Sequence, residues 1–168
     1  MLAAMIRRFL LLSLAVLCGS ARAAETEASL QQKLSDAVAS PKVTVVHFWA
    51  PWCPNCRSEL ANGGWSSFIA AHPDVDFVFV TIWNPLDGHE VLEKNGVGAE
   101  PNFQLYLHPN GSRKRGEMVS GLLGLPISWI PTTWVYRNGK LRYALNYGEL
   151  HFTVLNQLIV DSTDSWDR

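Results

Sequence analysis

The segment Val43-Thr44-Val45-Val46-His47-Phe48-Trp49 is β-branched or aromatic at almost every position, the mark of a strand with no solvent face. A second run of the same kind, Asp76-Phe77-Val78-Phe79-Val80-Thr81-Ile82-Trp83, follows one helix-length later. Strands without a polar face need cover on both sides, so the chain reads as an α/β sheet flanked by helices. Strand, helix and strand in this order make a right-handed crossover between parallel neighbours.

The first strand gives way to its helix at Trp52-Cys53-Pro54-Asn55-Cys56. Pro54 suits the first helical turn, where its missing N–H would be unpaired in any case. The unpaired N–H groups and the dipole of that turn favour an anion. A thiolate so placed has its pKa lowered from about 8.5 into a range of roughly 3.5–7.5. Cys53 is then the expected nucleophile and Cys56, one turn on, the thiol that closes on it as a disulfide. The chemistry asks for no cofactor beyond that redox-active Cys53–Cys56 pair.

The string Phe48-Trp49-Ala50-Pro51-Trp52-Cys53-Pro54-Asn55-Cys56 after a buried strand resembles the active site of the thioredoxin superfamily. A second element strengthens the likeness: Trp129-Ile130-Pro131-Thr132-Thr133-Trp134-Val135-Tyr136, followed by the turn Arg137-Asn138-Gly139-Lys140. The resemblance covers roughly 43–160 and is greatest to the periplasmic TlpA/ResA-type reductases. It implies a thioredoxin fold, a central mixed sheet flanked by helices, with an N-terminal extension and a central insertion. It further implies a cis Pro131 facing the cysteines, with the Ile130 backbone exposed to pair with a substrate strand. On local sequence alone a trans proline opening the strand stays open, since cis bonds occur at only about 5–6% of X–Pro steps. Trp52, with Trp49 as either site wall or core, and the tuning pair Pro54 and Asn55 complete the expected substrate-binding set.

Two departures from the family pattern stand out. The position six residues before the first cysteine, a buried Asp in thioredoxins, is His47 here. It reads either as a proton carrier or as a neutral core histidine. Ala61 stands where many relatives have a helix-kinking proline. Glu59 and Glu100 are weaker candidates for acid–base help, and His72, His89, His108 and His151 show no ligand spacing.

At the N-terminus, Arg7 and Arg8 precede a short apolar core, Phe9–Leu17, and Ala21-Arg22-Ala23 supplies small residues for cleavage. Residues 1–23 are therefore expected to be a signal peptide and 24–168 a single thioredoxin-like domain. The ten residues Phe9–Cys18 fall short of the roughly 20 that a spanning helix needs, so an uncleaved anchor is the lesser reading. Lipidation of Cys18 is disfavoured by Leu17, where a small residue is expected. Cleavage removes three of the 14 basic residues and leaves 11 against 15 acidic, a net charge of −4. That balance gives no sign of a nucleic-acid partner. It also leaves Cys53 and Cys56 as the only cysteines of the mature sequence, so neither belongs to a structural disulfide framework.

The rest of the chain divides into an amphipathic helix over 25–39, carrying Leu30, Leu34 and Val38, and a helix-compatible stretch within Asn84–Gly98. An added strand over 102–107, a helix over 118–125, a hairpin 134–137/141–147 and a closing helix over 149–160 follow. Arg113-Lys114-Arg115 reads as a solvated loop or helix start, and 162–168 as a loose tail. The signal sequence, the cysteine pair and the resemblance to TlpA/ResA-type reductases together lead to the expectation of a monomeric periplasmic thiol–disulfide oxidoreductase, and the resemblance implies reduction of substrate-protein disulfides in roles such as cytochrome c maturation. A DsbD-type membrane donor would recycle it. The alternatives are a disulfide oxidase or isomerase, and a non-catalytic module holding Cu(I) on two soft thiolates. A zinc site would need two more ligands, and no second cysteine pair supplies them.

Overall fold

The computed structural model describes residues 26–146 and 148–163; the expected signal peptide and its Cys18 lie outside these. Helix α1 (Glu27–Val38) begins at Thr26, whose hydroxyl accepts the Ser29 N–H while Ser29 caps back, a reciprocal box. Strand β1 (Val43–Trp49) follows, then α2 (Pro54–Leu60), a single 3₁₀ turn (Ala61–Gly63) and α3 (Gly64–Ala70). β2 (Asp76–Thr81), α4 (His89–Lys94) and β3 (Phe103–Leu107) come next, then β4 (Gly121–Leu122) and β5 (Leu125–Pro126). β6 (Thr132–Arg137), β7 (Lys140–Leu145) and α5 (Phe152–Thr163) complete the described chain.

Five strands form one mixed sheet in the order β3-β2-β1-β6-β7. β1 lies at its centre, parallel to β2 and antiparallel to β6. All seven of its residues are buried, as the unbroken apolar run requires. Alternation sends Val45 and Trp49 into a core built with Leu60, Trp65, Phe68, Leu155 and Ile159, from α2, α3 and α5. Val46 and Phe48 face the other way, onto Leu30, Leu34 and Val38 of α1 and onto Leu122 and Ile127. The sheet is thus covered on both faces, with β1 delivering its C-terminal end to the cysteines. The strand expected near 102–107 is β3, parallel to β2 at the sheet edge.

Three expectations are corrected. Residues 118–125 are not a helix: β4 and β5 form a small hairpin turned by Leu123 and Gly124, both at positive φ. Such a two-residue turn suits glycine and overrides the helical spacing of the neighbouring leucines. The closing helix starts at Phe152 rather than 149, because the Leu150 N–H is bonded to the Glu59 carboxylate instead of to a helical carbonyl. It then continues through Ser162 and Thr163, read as tail, because Ser162 is buried, its hydroxyl donates to the Leu158 carbonyl and Arg137 caps its own carbonyl at 3.0 Å. The kink that relatives take from proline is made at Asn62 and Gly63, both left-handed.

Candidate active site

Cys53 is the residue that caps α2. Its N–H donates to the Ala50 carbonyl at 3.0 Å, closing the turn that leads from the strand into the helix. Its sulfur accepts the Cys56 N–H at 3.5 Å, and Pro54 occupies the first turn. Both thiols are free; Cys53 keeps 5% exposure and Cys56 only 1%. The Cys56 S–H donates to the Cys53 sulfur, and this, against the opposing cost of burial and helped by the Cys56 and Asn55 N–H groups, lowers Cys53 from 9.0 to about 6. Burial, and the same bond given from the other side, push Cys56 far up. One turn of helix therefore carries two thiols of opposite acidity.

Across from them the Ile130–Pro131 peptide is cis. The Ile130 carbonyl lies 3.6 Å from the Cys53 sulfur and accepts its proton when the thiol is protonated. Thr132, buried at the start of β6, ties this corner by donating to the Trp129 carbonyl at 2.9 Å.

Beneath the cysteines lies a buried polar pair. The His47 ring sits between Trp65 and Phe79, each centroid 4.7 Å away, with Nδ1 2.9 Å from the Thr133 hydroxyl. Its Nε2 is 3.4 Å from Glu59 Oε2. Burial drives His47 from 6.5 down to about 3, so the imidazole is neutral at physiological pH. Glu59 accepts the Leu150 N–H at 2.7 Å and the Trp65 Nε1–H at 3.1 Å. Burial outweighs both and raises its carboxyl from 4.5 to about 7, with Glu149 and Cys53 adding repulsion. The contact between them is an imidazole beside a half-titrated acid rather than an ion pair.

On the solvent side, Trp52, Cys53, Trp129 and Ile130 line a cleft of ≈ 350 Å³. The Trp52 Nε1–H donates to the Trp83 carbonyl at 2.9 Å, which holds that ring in place, and the Arg113 guanidinium lies 3.8 Å above its face.

A family model for the thioredoxin-like domain matches residues 30–162. The chain belongs to the thioredoxin-like family. Among curated proteins, this thioredoxin-like chain is 40% identical over 125 residues to the sporulation thiol-disulfide oxidoreductase A of Bacillus subtilis, covering 73% of the chain and 65% of that protein. It is also 30% identical over 100 residues to the thiol:disulfide interchange protein DsbD of Pseudomonas fluorescens, covering 58% of the chain and 17% of that protein. The alignments thus span less than two thirds of either relative's length. A solved structure of a secreted Mycobacterium tuberculosis disulfide oxidoreductase homologous to E. coli DsbE overlays with a TM-score of 0.52. It shares 23% identity and covers 74% of this chain and 85% of that one, a likeness of fold.

Of the residues singled out in the sequence, the thioredoxin-like fold gathers Cys53, Ile130 and Trp52 around one opening, with Cys56 buried behind Cys53, Pro131 joined to Ile130 by the cis peptide, and Pro54 and Asn55 exposed. Trp49 is core, at 1% exposure. Glu100 bonds its own loop, accepting the Gly98 N–H at 3.0 Å. Among the described residues no three His, Cys, Asp or Glu side chains are grouped to hold a metal ion. Sequence reasoning undervalued Glu59 and gave Arg113 no part. Glu59 had a usable signal, since three residues after Cys56 is the same helical face. Arg113 had none, because its contact with Trp52 is made by a distant loop.

Proposed function

We propose that this chain is a thiol–disulfide oxidoreductase that works as a reductase of protein disulfides outside the cytoplasm. The observation that carries the reading is the pairing of an acidic, slightly exposed Cys53 with a buried, weakly acidic Cys56 opposite the Ile130 carbonyl. The names of both curated relatives support the class of chemistry. Cys53 thiolate attacks one sulfur of a substrate disulfide, and the other sulfur leaves as a thiolate that takes a proton from solvent. Cys56 then loses its proton, attacks the Cys53 sulfur and expels the second substrate thiolate. Two electrons pass to the substrate and the site ends as the Cys53–Cys56 disulfide. Glu59, titrating near neutrality beside the pair, accepts the Cys56 proton, and neutral His47 is its polar neighbour.

A Cys53 pKa of about 6 lies nearer the thioredoxin value of about 7 than the value of about 3.5 in the oxidant DsbA, which favours the reducing direction. The monomer receives electrons from a DsbD-type dithiol donor, and residues 1–23 act as a signal peptide that directs export and is then cleaved. The deciding experiment is the equilibrium reduction potential in dithiothreitol or glutathione buffers, with Cys56→Ser used to trap the mixed disulfide on Cys53. A value near −270 mV, about that of thioredoxin, supports the reductase; one nearer −120 mV, about that of DsbA, makes it an oxidase.

A further inference from the structure

The basic run 113–115 has no part in the thiol chemistry, yet it places a cation at the mouth of the site. The Arg113 guanidinium carbon lies 3.8 Å from the centroid of the Trp52 ring, and a guanidinium that stacks on an aromatic face keeps the N–H donors at its edge free for a carboxylate. Among the described residues no carboxylate pairs with Arg113, whereas neighbouring Lys114 is 3.8 Å from Glu117. The loop that carries Arg113 is pegged. Asn110 Oδ1 accepts the Ser112 N–H at 2.9 Å, Asn110 Nδ2 donates to the Glu117 carbonyl at 2.7 Å, and the Ser112 hydroxyl donates to the Glu117 carboxylate at 2.9 Å. Beneath it the Trp83 Nε1–H donates to the Val119 carbonyl at 2.9 Å, so the floor is fixed as well.

The cleft is also unusually apolar for an open surface. Trp129 is 60% exposed and Trp52 37%, with Met118 and Ile130 between them and Cys53 at the edge. Exposed tryptophans beside an arginine are the composition of an interface centre rather than of ordinary surface. The mature sequence is otherwise acidic, so a cation stationed here favours an anionic partner group.

Resting on the oxidoreductase reading, we propose that the cleft between Trp52 and Trp129 selects a protein segment in which the disulfide-bonded cysteine lies next to an apolar side chain and an acidic one. The apolar side chain enters the cleft, and the carboxylate is received by the in-plane donors of Arg113. Arg113 is a specificity residue and touches no reacting atom.

The test uses the reduced full chain and capped peptides whose single cysteine carries a methylthio disulfide, flanked by leucine and by glutamate, glutamine or lysine. Reduction rates are followed by tryptophan fluorescence, and each variant is scored only by its ratio of glutamate to glutamine peptide. The wild-type chain is expected to prefer the glutamate peptide about 5-fold, and Arg113→Gln to bring the ratio to about 1. Arg113→Lys, which keeps charge without the fork, should fall between, and salt should erode the wild-type preference. A wild-type ratio of about 1, or a preference that survives Arg113→Gln, overturns the proposal. Reduction of neutral hydroxyethyl disulfide by the wild type separates the two claims: its absence sinks the activity reading. In that case equilibrium binding of the same peptides, with and without Arg113→Gln, still decides the selectivity.

Discussion

Replacing Glu59 by Gln removes one titrating proton from the core while keeping the side chain's shape, and its effect follows in sign and size from the structure. Burial raises the Glu59 carboxyl from 4.5 to about 7. Between those values the folded chain holds a proton that the unfolded chain has released. The contribution to stability is therefore complete below pH 4.5 and is lost as pH rises through about 7. At roughly 1.4 kcal/mol per pH unit the whole span is worth about 3 kcal/mol. His47 has the opposite sign: lowered from 6.5 to about 3, its contribution is complete above pH 6.5 and is lost as pH falls through 3. Both proteins contain His47, so subtracting one stability from the other removes it.

Gln offers one acceptor oxygen to two donors, Leu150 N–H and Trp65 Nε1–H, so one donor loses its partner at a cost of about 1–3 kcal/mol at every pH. The variant should be the less stable at about pH 5, and the gap should close by about 3 kcal/mol by about pH 9. Urea unfolding of the reduced proteins across that range, in excess dithiothreitol and followed by circular dichroism, reads this directly, since both proteins carry the same two thiols and the difference isolates Glu59. A gap that does not change with pH would mean that Glu59 is ionised throughout, and its assignment as the proton acceptor would fall.

In the reduced protein, Cys53 should titrate near 6 by thiolate absorbance or alkylation rate. Cys56→Ala should move it up by about one pH unit, because the Cys56 S–H is the largest cause of its acidity. Gly64→Ala should destabilise the fold by about 1–3 kcal/mol in chemical denaturation, because a Cβ there would stand 2.8 Å from the Phe152 ring and against the Glu59 backbone carbonyl. It should also disturb Glu59, since the next residue, Trp65, is one of its donors. His47→Leu removes the imidazole nitrogen that lies 3.4 Å from Glu59. With less polar support for the carboxylate, the midpoint of the Cys56-dependent step in a pH–rate profile should rise above 7.

What the sequence made legible is what short-range rules govern. The unbroken apolar run at Val43–Trp49 could only be a central strand, and the proline at the helix start located the cysteine turn. The Met118–Leu125 segment misled because its leucines have helical spacing, while the turn at Leu123 and Gly124 decides the outcome through two backbone dihedrals. The ambiguity over His47 lay in what faces it. Alternation along β1 puts it on the side of Val45 and Trp49, under α2, but its partners Thr133, Trp65 and Glu59 come from three other elements. Position on a face can be read from period; the chemistry of the opposing face needs the fold.

The buried pair then accounts for why a histidine is tolerable at the position where thioredoxins have an acid. An acid at His47 would lie beside Glu59, and two buried carboxylates cannot both ionise at such range. A neutral imidazole leaves Glu59 as the member of the pair that titrates near neutral pH. Its charge is tied to the state of the sulfurs, because the Cys53 thiolate adds to the repulsion that raises Glu59. When the Cys53 thiolate is consumed in the mixed disulfide, that negative charge disappears and Glu59 becomes more acidic, so the proton it takes from Cys56 passes on to solvent once the disulfide has formed. The same coupling, run backwards, returns a proton to the site as a donor reduces it.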